Sequence, residues 1–134
     1  MAEGWACYAT DLADEAGFLT PYESFAHHRT RLRMAARAIV DIRLHHGRLS
    51  LNEAAAFYAE QVGMPESAAR SEAVKNSLFP ATACMYLAGW EAIRQLRRES
   101  SPTSLRQFHD RFLSFGSVPV SLVAQALMRE EICL

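Results

Sequence analysis

The feature that most limits what this chain can fold into is its regular helix punctuation. Thr20-Pro21-Tyr22-Glu23 is a capping box with Pro at the first helical position. The Thr side chain can accept from the amide three residues on, while the Glu reaches back to the Thr backbone. Ser50-Leu51-Asn52-Glu53 repeats that spacing. Ser101-Pro102 and Val118-Pro119 offer proline at two further helix starts, and Gly17, Gly47, Gly63 and Gly116 sit where a helix-ending glycine is expected. No segment alternates β-branched and polar residues with period two, so no strand is predicted.

This punctuation marks out seven helices, over about 3–16, 21–46, 51–62, 65–78, 81–99, 102–115 and 119–131. The links are short, which favours antiparallel neighbours. The expected fold is all-α, an irregular antiparallel bundle of about seven helices in a single domain spanning residues 1–134. In the fifth helix Ala81, Cys84, Met85, Ala88, Ala92 and Leu96 follow three- and four-residue steps and are expected to face inward. Gly89 within that helix costs about 1 kcal/mol relative to Ala, and a second helix approaching closely would account for it. The last helix, with Val120, Leu122, Val123, Ala126 and Leu127, is apolar around much of its circumference.

Composition narrows the function classes. The net charge is -1, and the basic clusters Arg29, Arg31, Arg33 and Arg94, Arg97, Arg98 are offset by acids elsewhere. Neither nucleic acid nor an anionic membrane is expected as a partner. Cys7, Cys84 and Cys133 lack CxxC spacing and are odd in number, which argues against a disulfide scaffold or a cysteine zinc site. With no signal-like segment and no long apolar run, a cytoplasmic location is expected.

The five histidines raise the question of a metal. His27-His28 and His45-His46 fall on one face of a continuous second helix, but about 27 Å apart at 1.5 Å per residue, too far to share an ion. His27, His28 and His46 are read as surface or helix-end residues. Arg37, Asp41 and His45, spaced i, i+4, i+8, form a sharper constellation. Asp41 could orient the His45 ring and raise its basicity while Arg37 keeps the carboxylate ionised. A solvated ladder of ion pairs is the competing reading.

Four segments carry a resemblance. Ala2-Glu3-Gly4-Trp5-Ala6-Cys7-Tyr8-Ala9 contains Glu-Gly-Trp-Ala, and residues 35–45 contain Arg37, Asp41 and His45 at four-residue spacing. Pro80, Tyr86 and Gly89 form a Pro followed by Tyr-x-x-Gly, and Phe108-His109-Asp110 precedes Gly116 and Pro119. In order and spacing these segments resemble the C-terminal portion of a bacterial zinc-metallopeptidase-like family, number 885 among the domains of unknown function. The chain departs from that pattern at Arg43, Lys75, Asn76 and Ala81-Thr82.

The resemblance implies a larger, gluzincin-like helical fold of which this chain is the C-terminal part. It makes Glu3 the third zinc ligand and Tyr86 a donor to the oxyanion of a peptide substrate, with His45, Asp41 and Arg37 beside it. It leaves His109 and Asp110 a structural role. No HExxH occurs in the 134 residues. A gluzincin site needs two His ligands and a neighbouring Glu base, so no cofactor is expected in the isolated chain, and zinc only if a partner chain bearing HExxH completes the site. The expectation is a C-terminal fragment without catalysis of its own. The alternatives are a subunit of a split zinc peptidase and a repurposed helical binding module. Apolar surface left on the first and last helices would promote homo-oligomerisation or binding to such a partner.

Overall fold

The computed structural model describes residues 2–100 and 104–132, with side chains as far as Leu127. Among these residues the secondary structure is entirely helical. The elements are α1 (Ala2–Glu15), α2 (Pro21–His45), α3 (Leu51–Val62), α4 (Glu66–Leu78), α5 (Thr82–Glu99), α6 (Leu105–Ser114) and α7 (Val120–Ile132). Each expected helix is present.

The punctuation acts largely as read. Thr20 and Ser50 both form complete capping boxes with Glu23 and Glu53, and Pro21 opens α2. In each box the Glu carboxylate accepts from the backbone amide and the hydroxyl of its cap at 2.7 to 2.8 Å. Those bonds hold the Glu23 and Glu53 carboxyls below their usual range. The four helix-ending glycines all take positive φ. One proline expectation shifts by a residue. Pro119 precedes α7, its carbonyl accepting from Leu122 and Val123. α6 is capped by Ser104, which accepts from the Gln107 amide at 3.1 Å. Pro102 and Cys133 lie outside the described residues.

The chain divides into two compact units, one of residues Met1–Ala9 and Ala88–Leu134, the other of residues Thr10–Leu87. In the second unit α3 lies against α4 and α2, around a core of Ala36, Val40, Ala54, Tyr58, Val62, Ala69 and Ala73. Four of these seven are alanines, so the helix backbones can come close, and Tyr58 supplies most of the side-chain bulk. Asp11 ties α1 to α2, with Oδ1 2.8 Å from His27 Nε2 and 2.6 Å from Arg31. His27 is therefore half-buried and paired rather than a surface residue, while His28 and His46 are exposed.

In the first unit the buried residues include Tyr8, Ile93, Leu96, Phe108, Phe112, Val123 and Leu127. Trp5 stacks on Phe112 with centroids 5.5 Å apart, and Phe108 lies 5.9 Å from Phe112. Gly4 and Gly89 meet backbone to backbone. A Cβ built on Gly4 would lie 2.4 Å from the Gly89 carbonyl carbon, and one on Gly89 would lie 3.0 Å from the Gly4 Cα. The helix-weakening glycine of α5 is there to admit α1.

The inward face of α5 differs from the expectation, and α7 buries part of its apolar circumference. Ala83, Ile93 and Leu96 are buried in α5, whereas Met85 and Ala88 are exposed. On α7, Val120, Val123 and Leu127 are buried and Leu122 points outward. A helix covered on one side exposes part of an all-round apolar surface, which periodicity alone cannot orient. Of the two helices expected to leave large apolar residues exposed, α7 does so with Leu122. α1 contributes none among the described residues, while α2 contributes Tyr22, Phe25, Leu32, Ile39 and Ile42.

The glycine contact yields a stability prediction. Gly4→Ala should cost about 2 kcal/mol or more in urea unfolding, despite the intrinsic helix preference for Ala, because the new methyl meets backbone that cannot rotate away. Gly89→Ala should cost less, since its methyl begins at the edge of contact.

Candidate functional site

The expected constellation is built around α2. Asp41 is 2 % exposed although it carries a carboxylate. Its oxygens accept from the Ala81 amide at 3.1 Å and the Ala83 amide at 3.2 Å. These amides are unsatisfied donors at the start of α5, so a side chain from α2 caps a helix remote in sequence. The carboxylate also lies at the positive end of the α5 dipole. Ala81 has φ 63°, a left-handed conformation that disfavours any residue with a Cβ. Its bond to Asp41 holds it there.

The same carboxylate orients His45 one turn on. His45 Nδ1 lies 2.8 Å from Asp41 Oδ1 and 2.8 Å from the Asp41 carbonyl. Its Nε2 is 3.4 Å from the Ser77 carbonyl. All these partners accept, so the ring is best served with both nitrogens protonated. The Asp41 carbonyl is the main cause of an imidazole pKa raised above its usual value, against the opposing effect of burial. Asp41 therefore orients His45 and raises its basicity, as the spacing predicted. Cys84 Sγ sits 3.9 Å from Asp41 Oδ2. Burial, reinforced by that charge, pushes the Cys84 thiol up, which keeps it protonated and a poor nucleophile.

Arg37 does not serve Asp41 as expected. Its Nε lies 2.8 Å from Glu72 Oε1 on α4, an ion pair whose alignment falls short of a directed hydrogen bond. Its guanidinium carbon stands 5.9 Å from the Tyr86 ring centroid. Arg37 thus brings together Glu72 and Tyr86, while Asp41 gathers His45 and the start of α5. The i, i+4, i+8 stripe divides because α2 meets α4 at one position and the α5 start at the next.

Asn76 and Tyr58 lie beneath this pair and were not singled out for any role in the sequence. The Asn76 side-chain amide donates to the Arg37 carbonyl at 2.9 Å and to the Tyr58 hydroxyl at 2.8 Å. Tyr58 is fully buried, and burial, then the nearby Glu72 charge, pushes its phenol well above the usual value. An asparagine inside a helix was the available signal, since its propensity there is poor unless the side chain has partners.

The remaining site residues belong to the first unit. Glu3 is exposed. The Tyr8 hydroxyl lies 2.9 Å from His109 Nε2, and Arg97 is 3.4 Å from that same hydroxyl. Arg97 donates to the Tyr8 hydroxyl, the hydroxyl donates to His109 Nε2, and the ring accepts as the neutral imidazole. Burial, then the Arg97 charge, lowers the His109 pKa, in keeping with that role. His109 also packs edge-on to Trp5 at 5.7 Å. It bonds a neighbouring helix, as its structural reading anticipated.

Among the described residues no three His, Cys, Asp or Glu side chains converge as a metal-holding group. Glu3 is in one unit and Asp41 and His45 are in the other. These residues do not fit a zinc centre by themselves. No helix among the described residues is long and apolar enough to cross a membrane.

Comparison with known proteins places residues 1–127 under the family model described as "Bacterial protein of unknown function (DUF885)". No curated protein and no solved structure matches the chain.

Two measurements test this site. Asp41→Asn keeps the shape but removes the charge and one acceptor, and should cost about 2 kcal/mol in urea unfolding. Histidine titration by NMR should place His45 above the usual imidazole value and His109 below it, with His45 falling in Asp41→Asn. The signs for stability are opposite. The raised His45 contributes stability that is full below its unfolded pKa and is lost as pH rises through its folded one. The lowered His109 contributes stability that is full above its unfolded pKa and fades as pH falls toward its folded one.

Proposed function

We propose, from the premise that this chain belongs to the DUF885 family, that it forms the non-metal wall of a zinc-peptidase-like site and performs no hydrolysis with its own residues. The observation carrying this reading is the Asp41 hub. One buried carboxylate joins α2 to the start of α5 and fixes His45 one turn along α2, while Arg37 one turn before it lies beside the Tyr86 ring of α5. Such fixed placement of polar groups is what recognition of a peptide backbone requires.

In this reading Asp41 is a positioning residue. Its carboxylate is committed to two amides and an imidazole, and its burial keeps it from substrate. His45 and Tyr86 are the groups offered to a peptide. Arg37, paired with Glu72, stands beside the Tyr86 ring. Zinc in a gluzincin site would polarise the carbonyl and activate water. The two His ligands and the Glu base must come from an HExxH helix outside these 134 residues, with Glu3 as the third ligand. This chain's own residues give no step through the metal.

The test is native mass spectrometry with metal analysis on the protein purified from its host. The expected species contains zinc and an HExxH helix, in the same polypeptide or in a bound partner, and Glu3→Gln should lower its zinc content without dissolving it. A metal-free species with no HExxH helix would overturn the reading.

A further inference from the structure

The exposed face of α2 carries a pattern unrelated to the Asp41 site. Phe25, His28, Leu32, Ala35, Ile39, Ile42 and His46 follow alternating three- and four-residue steps for three heptads. This is the a/d periodicity of a helix that pairs with another along a narrow seam. The seam is open to solvent. Phe25 is 61 % exposed, Leu32 48 %, Ile39 41 % and Ile42 53 %. Clustered apolar exposure of this kind marks an interaction surface rather than scattered surface leucines.

The flanks of the seam identify the occupant. In this register the e positions are Arg29, Ala36 and Arg43, and the g positions are Ser24, Arg31, Ala38 and His45. No acid stands at either set. Arg29 and Arg43 are exposed, and Arg43 rests near the Phe57 ring at 5.9 Å. Charges at e and g choose partners and orientations in paired helices. A second copy of this chain would bring no acid to Arg29 or Arg43 in either orientation, and antiparallel it would set one against the other. On the g side Arg31 is paired with Asp11 and His45 with Asp41, so it is the e side, with Arg29 and Arg43, that a partner helix with acidic flanks would complement. The narrow seam also distinguishes a helix from a bilayer, which favours a broader apolar face.

We infer that α2 is a docking helix for an amphipathic partner helix, apolar at a and d and carrying Glu or Asp at e and g. The reading does not depend on the peptidase-like site and goes beyond it, since the seam shares only the His45 flank with that site.

Two synthetic three-heptad peptides test it, both with Leu at a and d, one with Glu at e and g and the other with Lys. Calorimetric titration into the full chain should show the Glu peptide binding roughly ten-fold or more tighter than the Lys peptide. Leu32→Glu with Ile39→Glu should abolish that binding while far-ultraviolet circular dichroism and thermal melting stay unchanged, because both positions face solvent. Arg29→Glu with Arg43→Glu should reverse the preference toward the Lys peptide, an outcome loss of folding cannot imitate. Equal affinity for the two peptides, no binding of either, or binding unaffected by the seam variant would each overturn the inference. So would a homodimer abolished by the seam variant, or saturable binding to phosphatidylserine vesicles in place of the peptide.

Discussion

The second unit depends on one buried negative charge. A carboxylate without water is costly unless every oxygen is satisfied, and Asp41 meets that condition with two backbone amides and an imidazole. The amides belong to the start of α5, where four N–H groups lack partners inside the helix. Each side therefore resolves the other's difficulty. The strained Ala81 backbone fits the same arrangement, since a left-handed residue turns its N–H toward Asp41. His45 follows as a consequence, because a residue one turn beyond Asp41 can reach the same charge.

The first unit relies on shape more than charge. Gly4 and Gly89 remove the side chains that would hold α1 and α5 apart, and Trp5 then reaches Phe112 and His109. Arg97, Tyr8 and His109 form a directed chain in which each group has one compatible role. The neutral His109 and the charged-leaning His45 show how surroundings divide identical side chains. One ring is desolvated beside an arginine, and the other is surrounded by acceptors.

The candidate site was partly legible in the sequence. Four-residue spacing correctly joined Asp41 to His45, because i, i+4 neighbours meet on any helix. It misjudged Arg37, whose partner Glu72 is on α4 and is brought near only when α2 and α4 pack. Asn76 stood out in the sequence only as a departure from the family's pattern. Its two bonds, to a carbonyl on α2 and a hydroxyl on α3, need three helices in place. The heptad steps on α2 were not read from the sequence, because only the exposure of Phe25, Leu32, Ile39 and Ile42 in the folded chain sets them apart from a core-facing stripe.

The sequence alone determined the helices and where they begin and end. Capping boxes, prolines and helix-ending glycines act through hydrogen bonds within a few residues, so their effect needs no tertiary contact. Tertiary structure decided which faces are buried, as the outward Met85 and Leu122 show, and which charges meet across helices. It also gave Asp41 its second role, as the cap of a helix forty residues away. Those outcomes depend on long-range packing, where one apolar stripe is compatible with several neighbours and only the assembled core selects among them.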